Sequence, residues 1–127
     1  LSPENARSVR DMLETVVQPG GTAVKAQVMG YRVAGKTGTA HKPGVGGYQN
    51  KYISSFVGMA PASNPKLIVA VMIDEPSAGQ YYGGAVAAPV FSAVMGATLR
   101  MMGVPQDAPN DNIVMPTSDS AEVKESM

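Results

Sequence analysis

The sequence predicts an α/β (α+β) domain in which an antiparallel sheet is flanked by helices. A capped helix opens the chain, three strand-like stretches separated by turns follow, and a long apolar helix comes after them. Strands that follow one another through short turns pair antiparallel. The chain has 127 residues, 44% of them hydrophobic and 16% charged, a composition that suits one modest globular domain.

The first helix is predicted from its capping residues. Ser2 offers a hydroxyl cap, Pro3 suits the first helical position, and Glu4 complements the positive end of the helix dipole. Apolar residues recur at spacings of three and four and predict one apolar face: Ala6, Val9, Met12, Leu13, Val16 and Val17. The run Gln-Pro-Gly-Gly at 18–21 ends the helix.

Two strands are predicted to form a hairpin. Residues Tyr31 to Ala40 read as the first strand and Tyr52 to Ala60 as the second, with a long tip around the turn at 43–47. Gly35 and Gly38 lie inside the first strand. Glycine weakens a strand, so this pair predicts a place where another group approaches the backbone closely.

The third strand and the last helix are predicted from apolar runs. Leu67 to Ile73 is an unbroken apolar run, which is typical of a central strand covered on both faces. From about Ala87 to Met102 a helix is predicted, with Pro89 in its first turn and Gly103 as its stop. This helix is apolar nearly all round and too short to span a bilayer, so we expect it in a protein core.

Charge divides the chain at about residue 104. Residues 1–104 carry nine bases and five acids, whereas 105–127 carry five acids and one base. We therefore expect a domain over 1–104 and a flexible acidic tail over 105–127. No basic run with interleaved aromatic residues argues for nucleic acid. There is no cysteine, so neither a disulfide nor a thiolate metal site is possible. The first residues lack the features of a signal peptide and include no Met, so we expect a segment of a longer protein.

The stretch GYRVAGKTGTAHKPG at 30–44 has two incompatible interpretations. Gly30, Gly35, Lys36 and Thr37 fit the phosphate-binding loop of nucleotide hydrolases, and Asp74 follows an apolar strand as a magnesium-binding acid would. The same stretch contains Lys-Thr-Gly, the strand-borne triplet of penicillin-recognising serine enzymes.

The residues after Lys36-Thr37 favour the triplet. A phosphate loop needs a helix to begin there, because the helix amides face the phosphates. Five glycines and prolines follow within ten residues, and each costs a helix about 1 or 3 kcal/mol relative to alanine. An extended backbone would instead offer amides to a carbonyl oxygen, room at Gly38, and hydroxyls at Thr37 and Thr39 for a carboxylate.

Longer stretches carry a family resemblance. The sequences VAGKTGTAHK, YISSFVGMAPASNP, IVAVMIDEPSAGQYYGG and AAPVFSAVMGATLRMMGV, in this order, resemble the C-terminal part of the transpeptidase domain of class B penicillin-binding proteins. The resemblance is strongest to the division-specific septal branch and covers about residues 1–105. It implies the penicillin-binding transpeptidase and serine β-lactamase-like fold, present here as a C-terminal piece.

The resemblance also implies roles for individual residues. Lys36 matches the triplet lysine, which lines the cleft and supports proton transfer. Thr37 and Thr39 match hydroxyls that bind the substrate carboxylate beside Gly38, and the Thr39 amide matches a donor of the oxyanion hole. Three tyrosines match an aromatic wall beside the cleft: Tyr52, Tyr81 and Tyr82.

For the parent protein the resemblance implies a serine D,D-transpeptidase that cross-links peptidoglycan stem peptides and is inhibited by β-lactams. It implies an inner-membrane anchor with a periplasmic catalytic domain, division proteins and the upstream part of the domain as partners, and no cofactor. A D,D-carboxypeptidase or β-lactamase of the same fold, the nucleotide hydrolase and a non-catalytic binding domain remain alternatives.

The chain departs from the family in lacking a nucleophile. Ser63-Asn64-Pro65-Lys66 matches S-x-x-K literally, but its proline predicts a turn where the motif needs a helix start. No S-x-N occurs, so we expect the chain alone to be inactive. His41 has no second metal ligand near it, and we interpret it as a solvated or cleft-rim residue with no metal implied.

Overall fold

The three-stranded antiparallel sheet predicted from the sequence is confirmed in a computed structural model, which describes residues 1–109. Strand β1 spans Ala34–Gly44, β2 spans Gly47–Ala60 and β3 spans Leu67–Asp74, in the order β1-β2-β3. Helix α1 (Pro3–Glu14) precedes the sheet, and helices α2 (Gly83–Val86) and α3 (Ala88–Met101) follow it. The predicted order of elements is therefore correct.

Helix α1 begins as its capping residues predict. The Ser2 hydroxyl accepts a hydrogen bond from the Asn5 amide at 3.1 Å, and Pro3 is the first helical residue. A short 3-10 helix, Thr15–Val17, continues it. In the described residues no side chain of α1 is buried, and only Val17 at its far end joins the core. The predicted apolar face thus remains largely exposed in this part of the chain.

The hairpin differs from its prediction at both strand ends. Strand β1 starts at Ala34 rather than Tyr31, and pairing continues as far as Gly44 opposite Gly47. The tip therefore contains only two residues, and the predicted long tip is wrong. Gly46 and Gly47 have φ of 84° and 142°, values that favour glycine, which is why so tight a turn is possible here.

Strand β3 lies at a sheet edge in the described residues, and β2 is the middle strand. The side chains of β3 alternate between partly buried and exposed, so the predicted coverage of both faces of this strand is wrong for residues 1–109. Ile68 and Met72 point away from α3 and are 71% and 72% exposed. The unbroken apolar run misled the prediction because both faces of this strand are apolar.

The core lies between the sheet and α3. Phe56 of β2 and Phe91 of α3 are both fully buried, and their rings meet edge to face at 4.7 Å between centroids. A Cβ on Gly58 would lie 2.7 Å from Phe91, so glycine is what admits the ring. The opposite side of α3 is solvent-facing, with Val90 41% and Val94 46% exposed. The prediction of a helix buried on all sides is therefore wrong for the described residues.

The end of α3 is fixed by a Schellman motif. Gly103 takes φ of 66°, its amide donates to Arg100, and the Val104 amide donates to Leu99. Just beyond, the Asp107 carboxylate accepts from the Arg32 amide at 2.7 Å. The domain boundary at 104 and the flexible acidic tail stay predictions, and residues 110–127 of that tail lie outside the described part.

A group of ion pairs joins the hairpin to the end of β3. The Lys42 ammonium contacts Asp74 at 2.8 Å and Glu75 at 2.9 Å, and Lys51 lies 3.5 Å from Glu75. Hydrogen bonding from Lys42 lowers the pKa of Glu75, and hydrogen bonds to Asp74 and Glu75 raise the pKa of Lys42. Within residues 1–109, no helix is long and apolar enough to cross a membrane.

The aromatic pair predicts a large effect on stability. Phe91→Ala in the protein that carries this chain should lower the free energy of unfolding by about 3–5 kcal/mol, because it empties a closed site under the sheet. Denaturant unfolding measures it. Val90→Ala, one position away on the exposed side, is the matched control and should change stability by less than about 1 kcal/mol. Equal losses in the two variants would contradict the assigned core.

The ion pairs predict a pH-dependent effect. Since the folded pKa of Glu75 is depressed, the stability that Lys42 gives through it is present above the unfolded value of 4.5 and is lost as the pH falls through the folded value. In Lys42→Gln, the pKa of Glu75 measured by carboxyl NMR titration should rise towards 4.5. Lys25→Gln, an exposed change elsewhere, should leave it unaltered. An unshifted pKa of Glu75 in Lys42→Gln would contradict the pairing.

Candidate active-site strand

Residues 36–39 lie in the middle of an extended strand. Lys36 pairs with Val57 and Thr39 with Ser54, both within the regular part of the β1–β2 ladder. A phosphate-binding loop needs a helix to begin at this lysine, so the nucleotide interpretation has no structural support. In the described residues β1 is an edge strand, and one row of its backbone amides and carbonyls faces no partner strand.

The two threonine side chains lie on the face that carries α3. Cross-strand partners share a face, and Thr37 and Thr39 lie opposite Phe56 and Ser54, both fully buried. Thr37 is itself only 7% exposed, and its hydroxyl lies 3.2 Å from the hydroxyl of Thr22. Thr22 was not predicted, because fifteen residues separate it from its partner in the sequence.

Lys36 starts on the opposite face and reaches back to the threonine. Its ammonium donates to the Thr37 carbonyl oxygen at 3.0 Å and to the Thr37 hydroxyl at 3.3 Å. The ammonium and two hydroxyls, those of Thr37 and Thr22, therefore form one connected polar group. Such a group presents positive charge and hydroxyl donors together, the chemistry that binds a carboxylate.

The two glycines of the strand serve different contacts. A Cβ on Gly35 would lie 2.4 Å from the Phe56 ring, so Gly35 makes room for the core. Beside Gly38 lies the backbone of Gly83, whose own Cβ, if present, would stand 2.8 Å from the Gly38 carbonyl oxygen and 2.3 Å from that of Ser55. The predicted close approach to the strand backbone is thus observed at both positions.

The three predicted tyrosines come together. The rings of Tyr52 and Tyr81 stack at 3.8 Å with an interplanar angle of 10°, and Tyr82 lies 4.5 Å from Tyr81. The Tyr81 hydroxyl donates to that of Tyr82 at 3.3 Å. Removal of the Tyr52 hydroxyl from water raises the pKa of Tyr52, and its hydrogen bond with Tyr81 raises this pKa further. His41 extends the stack, with its ring 4.5 Å from Tyr52.

Gly83 and Ser54 hold this stack against the strand, and neither was predicted. The Gly83 amide donates to the Thr39 hydroxyl oxygen at 3.1 Å, and the buried Ser54 hydroxyl donates to the Tyr81 carbonyl. Their partners lie 44 and 27 residues away, so no local pattern could reveal them. The Gly-Gly pair after two tyrosines was the one signal available.

Ser63 is not placed as a nucleophile. It lies in the turn between β2 and β3, where its hydroxyl donates to Asp107 at 2.8 Å and no helix begins. The rejection of Ser63–Lys66 as an S-x-x-K motif is consistent with this geometry. Among residues 1–109, no group of three or more histidine, cysteine or acidic side chains is placed to hold a metal ion.

Comparison with known proteins identifies the family. The model of the penicillin-binding protein transpeptidase domain matches residues 1–96. The chain is 55% identical over 108 residues to the peptidoglycan D,D-transpeptidase FtsI of Escherichia coli K12, which covers 84% of this chain and 18% of that protein. It is 50% identical over 113 residues to the probable peptidoglycan D,D-transpeptidase PbpC of Pseudomonas aeruginosa, covering 88% of this chain and 20% of that protein.

A solved structure agrees in fold. The apo transpeptidase domain of Burkholderia pseudomallei penicillin-binding protein 3 superposes with a TM-score of 0.79 at 55% identity, covering 86% of this chain and 33% of that one. The chain thus spans about a fifth of these two relatives and a third of the solved domain. The resemblance inferred from the motifs is confirmed, and the chain belongs to the penicillin-binding protein transpeptidase domain family.

Proposed function

We propose that the protein containing this chain is a serine-type D,D-transpeptidase that cross-links peptidoglycan stem peptides, and that this chain supplies one wall of its active site. The observation that carries the proposal is the Lys-Thr-Gly-Thr segment on an open strand edge, with the Lys36 ammonium beside the Thr37 hydroxyl. It occurs in a chain whose relatives are named peptidoglycan D,D-transpeptidases.

In this proposal the polar group at the strand binds the substrate carboxylate. Thr37 and Thr39 lie two residues apart on one face, so their hydroxyls can serve the two oxygens of one carboxylate. The Lys36 ammonium adds positive potential and serves proton transfer near the nucleophile. Thr22 holds the Thr37 hydroxyl in place from behind.

The edge of β1 supplies the oxyanion donor. Backbone groups of alternate residues point to the same side of a strand, so Thr37 and Thr39 share an edge. The Lys36 ammonium reaches the Thr37 carbonyl, which supports assigning that edge to the cleft. The Thr39 amide there would donate to the developing oxyanion, an interaction whose removal typically costs about 3–4 kcal/mol in the transition state.

The reaction proceeds through an acyl-enzyme. A serine oxygen from the upstream part of the domain attacks the peptide carbonyl, the C–N bond breaks, and the leaving amine takes up the serine proton. The amine of a second stem peptide then attacks the ester carbonyl and returns the proton to the released serine. A β-lactam acylates the same serine when its ring amide bond opens, and Tyr52, Tyr81 and Tyr82 form the wall beside that cleft.

The cellular setting follows from the named relatives. We propose septal cell-wall synthesis during division, an inner-membrane anchor with the catalytic domain in the periplasm, and contacts with division proteins. These proposals are supported by the sequence identity with FtsI of Escherichia coli, and no single contact in the structure of this chain is used to argue them.

Covalent labelling tests the proposed function. A fluorescent β-lactam added to the complete protein should form a stable adduct on a serine, identified by mass spectrometry of the labelled peptide. ATP-dependent protection from proteolysis without labelling would favour a nucleotide hydrolase. The absence of both labelling and protection would favour a binding module. Either of these outcomes would refute the transpeptidase proposal.

Lys36→Ala in the complete protein should slow β-lactam acylation at least about a hundredfold, as removal of a general acid–base group does. The fold should persist because the Lys36 side chain is exposed. Stopped-flow acylation and thermal unfolding measure the two effects. Lys66→Ala, in the turn between β2 and β3, is the matched control and should acylate normally. Near-normal acylation of Lys36→Ala would contradict its assigned role.

The aromatic wall predicts a binding effect. Tyr81→Ala should weaken, by about tenfold, the non-covalent binding that precedes acylation for β-lactams with a flat aromatic side chain, because a stacking partner is lost. The subsequent acylation rate constant should change little. Tyr48→Ala is the control, since Tyr48 is 80% exposed and stands outside the stack of three tyrosines. An equal loss of binding affinity in Tyr81→Ala and Tyr48→Ala would contradict the proposed role of the aromatic wall.

A further inference from the structure

The chain leaves β3 through a residue in the left-handed conformation. Glu75 directly follows Asp74, the last residue of β3, and has φ of 52°. Among residues 1–109 it is the one non-glycine residue with a positive φ. This conformation is unfavourable for a residue that carries a Cβ, so it persists only where neighbouring contacts fix it. Residues held in this way cluster at ligand-binding and active sites.

Backbone and side-chain contacts both fix Glu75. Its amide donates to the Tyr52 carbonyl oxygen at 2.9 Å. Its carboxylate lies 2.9 Å from the Lys42 ammonium and 3.5 Å from that of Lys51. The backbone of Glu75 is therefore tied to a residue of the aromatic stack, and its side chain is tied to both strands of the hairpin.

Lys42 reaches Glu75 across the middle strand of the sheet. Lys42 belongs to β1, whereas Asp74 ends β3, and β2 lies between these two strands. The register of the hairpin shifts between His41 and Pro43, so Lys42 lies at the irregularity, a feature that redirects side chains. Its ammonium contacts Asp74 at 2.8 Å as well as Glu75. One side chain thus joins the strand of the Lys-Thr-Gly triplet to the exit of β3.

Tyr52 stands where regular pairing ends on both of its sides. On the β1 side, the register shifts directly after the pair of Tyr52 with His41. On the β3 side, the pairing ends with Ile53 opposite Asp74. The bond from the Glu75 amide comes next and holds the Tyr52 carbonyl from the β3 side. The turn at Glu75 therefore affects how firmly Tyr52 is held beneath its stacking partner.

The loop between Glu75 and Tyr81 is fixed mainly at its ends. Four of its five residues are exposed, and a Cβ on Gly79 would meet no atom within 4 Å. At the far end the Tyr81 ring stacks on Tyr52, and the Ser54 hydroxyl donates to the Tyr81 carbonyl. Since Ser54 already attaches Tyr81, a change at Glu75 should loosen the stack without detaching the loop.

We propose that Lys42 is a positioning residue for ligand binding: its ion pair holds the left-handed turn at Glu75, and that turn keeps the Tyr52 and Tyr81 rings stacked beside the cleft. This inference rests on the proposed function, because it takes the aromatic wall as part of the ligand-binding surface. Lys42 acts through Glu75 and makes no contact with the ligand. Exposed ion pairs contribute little individually, so its removal should change binding severalfold and leave the enzyme active.

Two β-lactams test the proposal in the complete protein, one with a flat aromatic side chain and one with a small side chain that has no ring. Stopped-flow acylation gives the dissociation constant of the non-covalent complex and the acylation rate constant. Lys42→Gln should raise the dissociation constant of the aromatic ligand about three- to fivefold, the upper range for an exposed charge pair. The dissociation constant of the other ligand and both acylation rate constants should stay unchanged.

Matched variants separate positioning from general damage. Glu75→Gln should reproduce the effect of Lys42→Gln, and the double variant should bind no more than about twofold more weakly than either single variant. Lys42→Arg, which keeps the positive charge, should retain the wild-type dissociation constant. Arg32→Gln also removes an ion pair, the one with Glu14 before the start of β1, and should leave the binding of both ligands unaltered.

Hydrogen exchange measures the contact without a ligand. The Glu75 amide, followed in overlapping peptides around residue 75, should exchange about fivefold faster in Lys42→Gln than in the wild type, because its bond to Tyr52 opens more often. It should keep the wild-type rate in Lys42→Arg. Equal protection in Lys42→Gln and the wild type would overturn the proposed role of Lys42.

The outcomes distinguish the two proposals. If the wild-type protein is acylated by neither ligand, the transpeptidase proposal fails and the role of Lys42 fails with it. If the wild type is acylated, two results overturn the positioning role alone. One is that Lys42→Gln weakens the binding of both ligands equally, and the other is that Lys42→Gln or Glu75→Gln leaves the binding of the aromatic ligand unchanged.

Discussion

The pairing of β1 with β2 is the constraint on which the site depends. Because side chains alternate between faces, this register alone decides that Thr37 and Thr39 share the α3 face while Lys36 starts on the other. A slip of one residue would exchange the two sets. The register shifts between His41 and Pro43, so the turn at Val45-Gly46 sets the pairing only at the tip, and the contact of the Phe56 ring with Gly35 lies within the regular ladder beyond that shift.

The core and the candidate site occupy the same layer of the molecule. Phe56 pairs with Thr37 across the ladder and packs on Phe91, so the apolar centre lies directly beside the threonine that meets the lysine. A rigid neighbour of this kind suits a site whose hydroxyls must be held within a fraction of an ångström. Glycines at 35, 58 and 83 make this close packing possible, although glycine weakens strands and helices.

Long-range contacts explain what sequence reasoning missed at the site. The tyrosines were singled out only through the family resemblance, since nothing local indicates that Tyr52 stacks on Tyr81, 29 positions later. The contact between the His41 ring and Tyr52 likewise had no signal in the sequence. Thr22, Ser54 and Gly83 act through hydrogen bonds to distant residues and have no signature of their own.

The sequence by itself determined the local structure. Ser2-Pro3 specified a helix start, Gly103 a helix end, and the glycines and prolines after Lys36-Thr37 excluded the helix that a phosphate loop requires. Tertiary structure decided which apolar residues are buried: half of β3 and one side of α3 remain exposed in the described residues. The physical reason is that backbone conformation follows from steric and hydrogen-bonding limits within a few residues, whereas burial and site geometry depend on which distant surfaces meet.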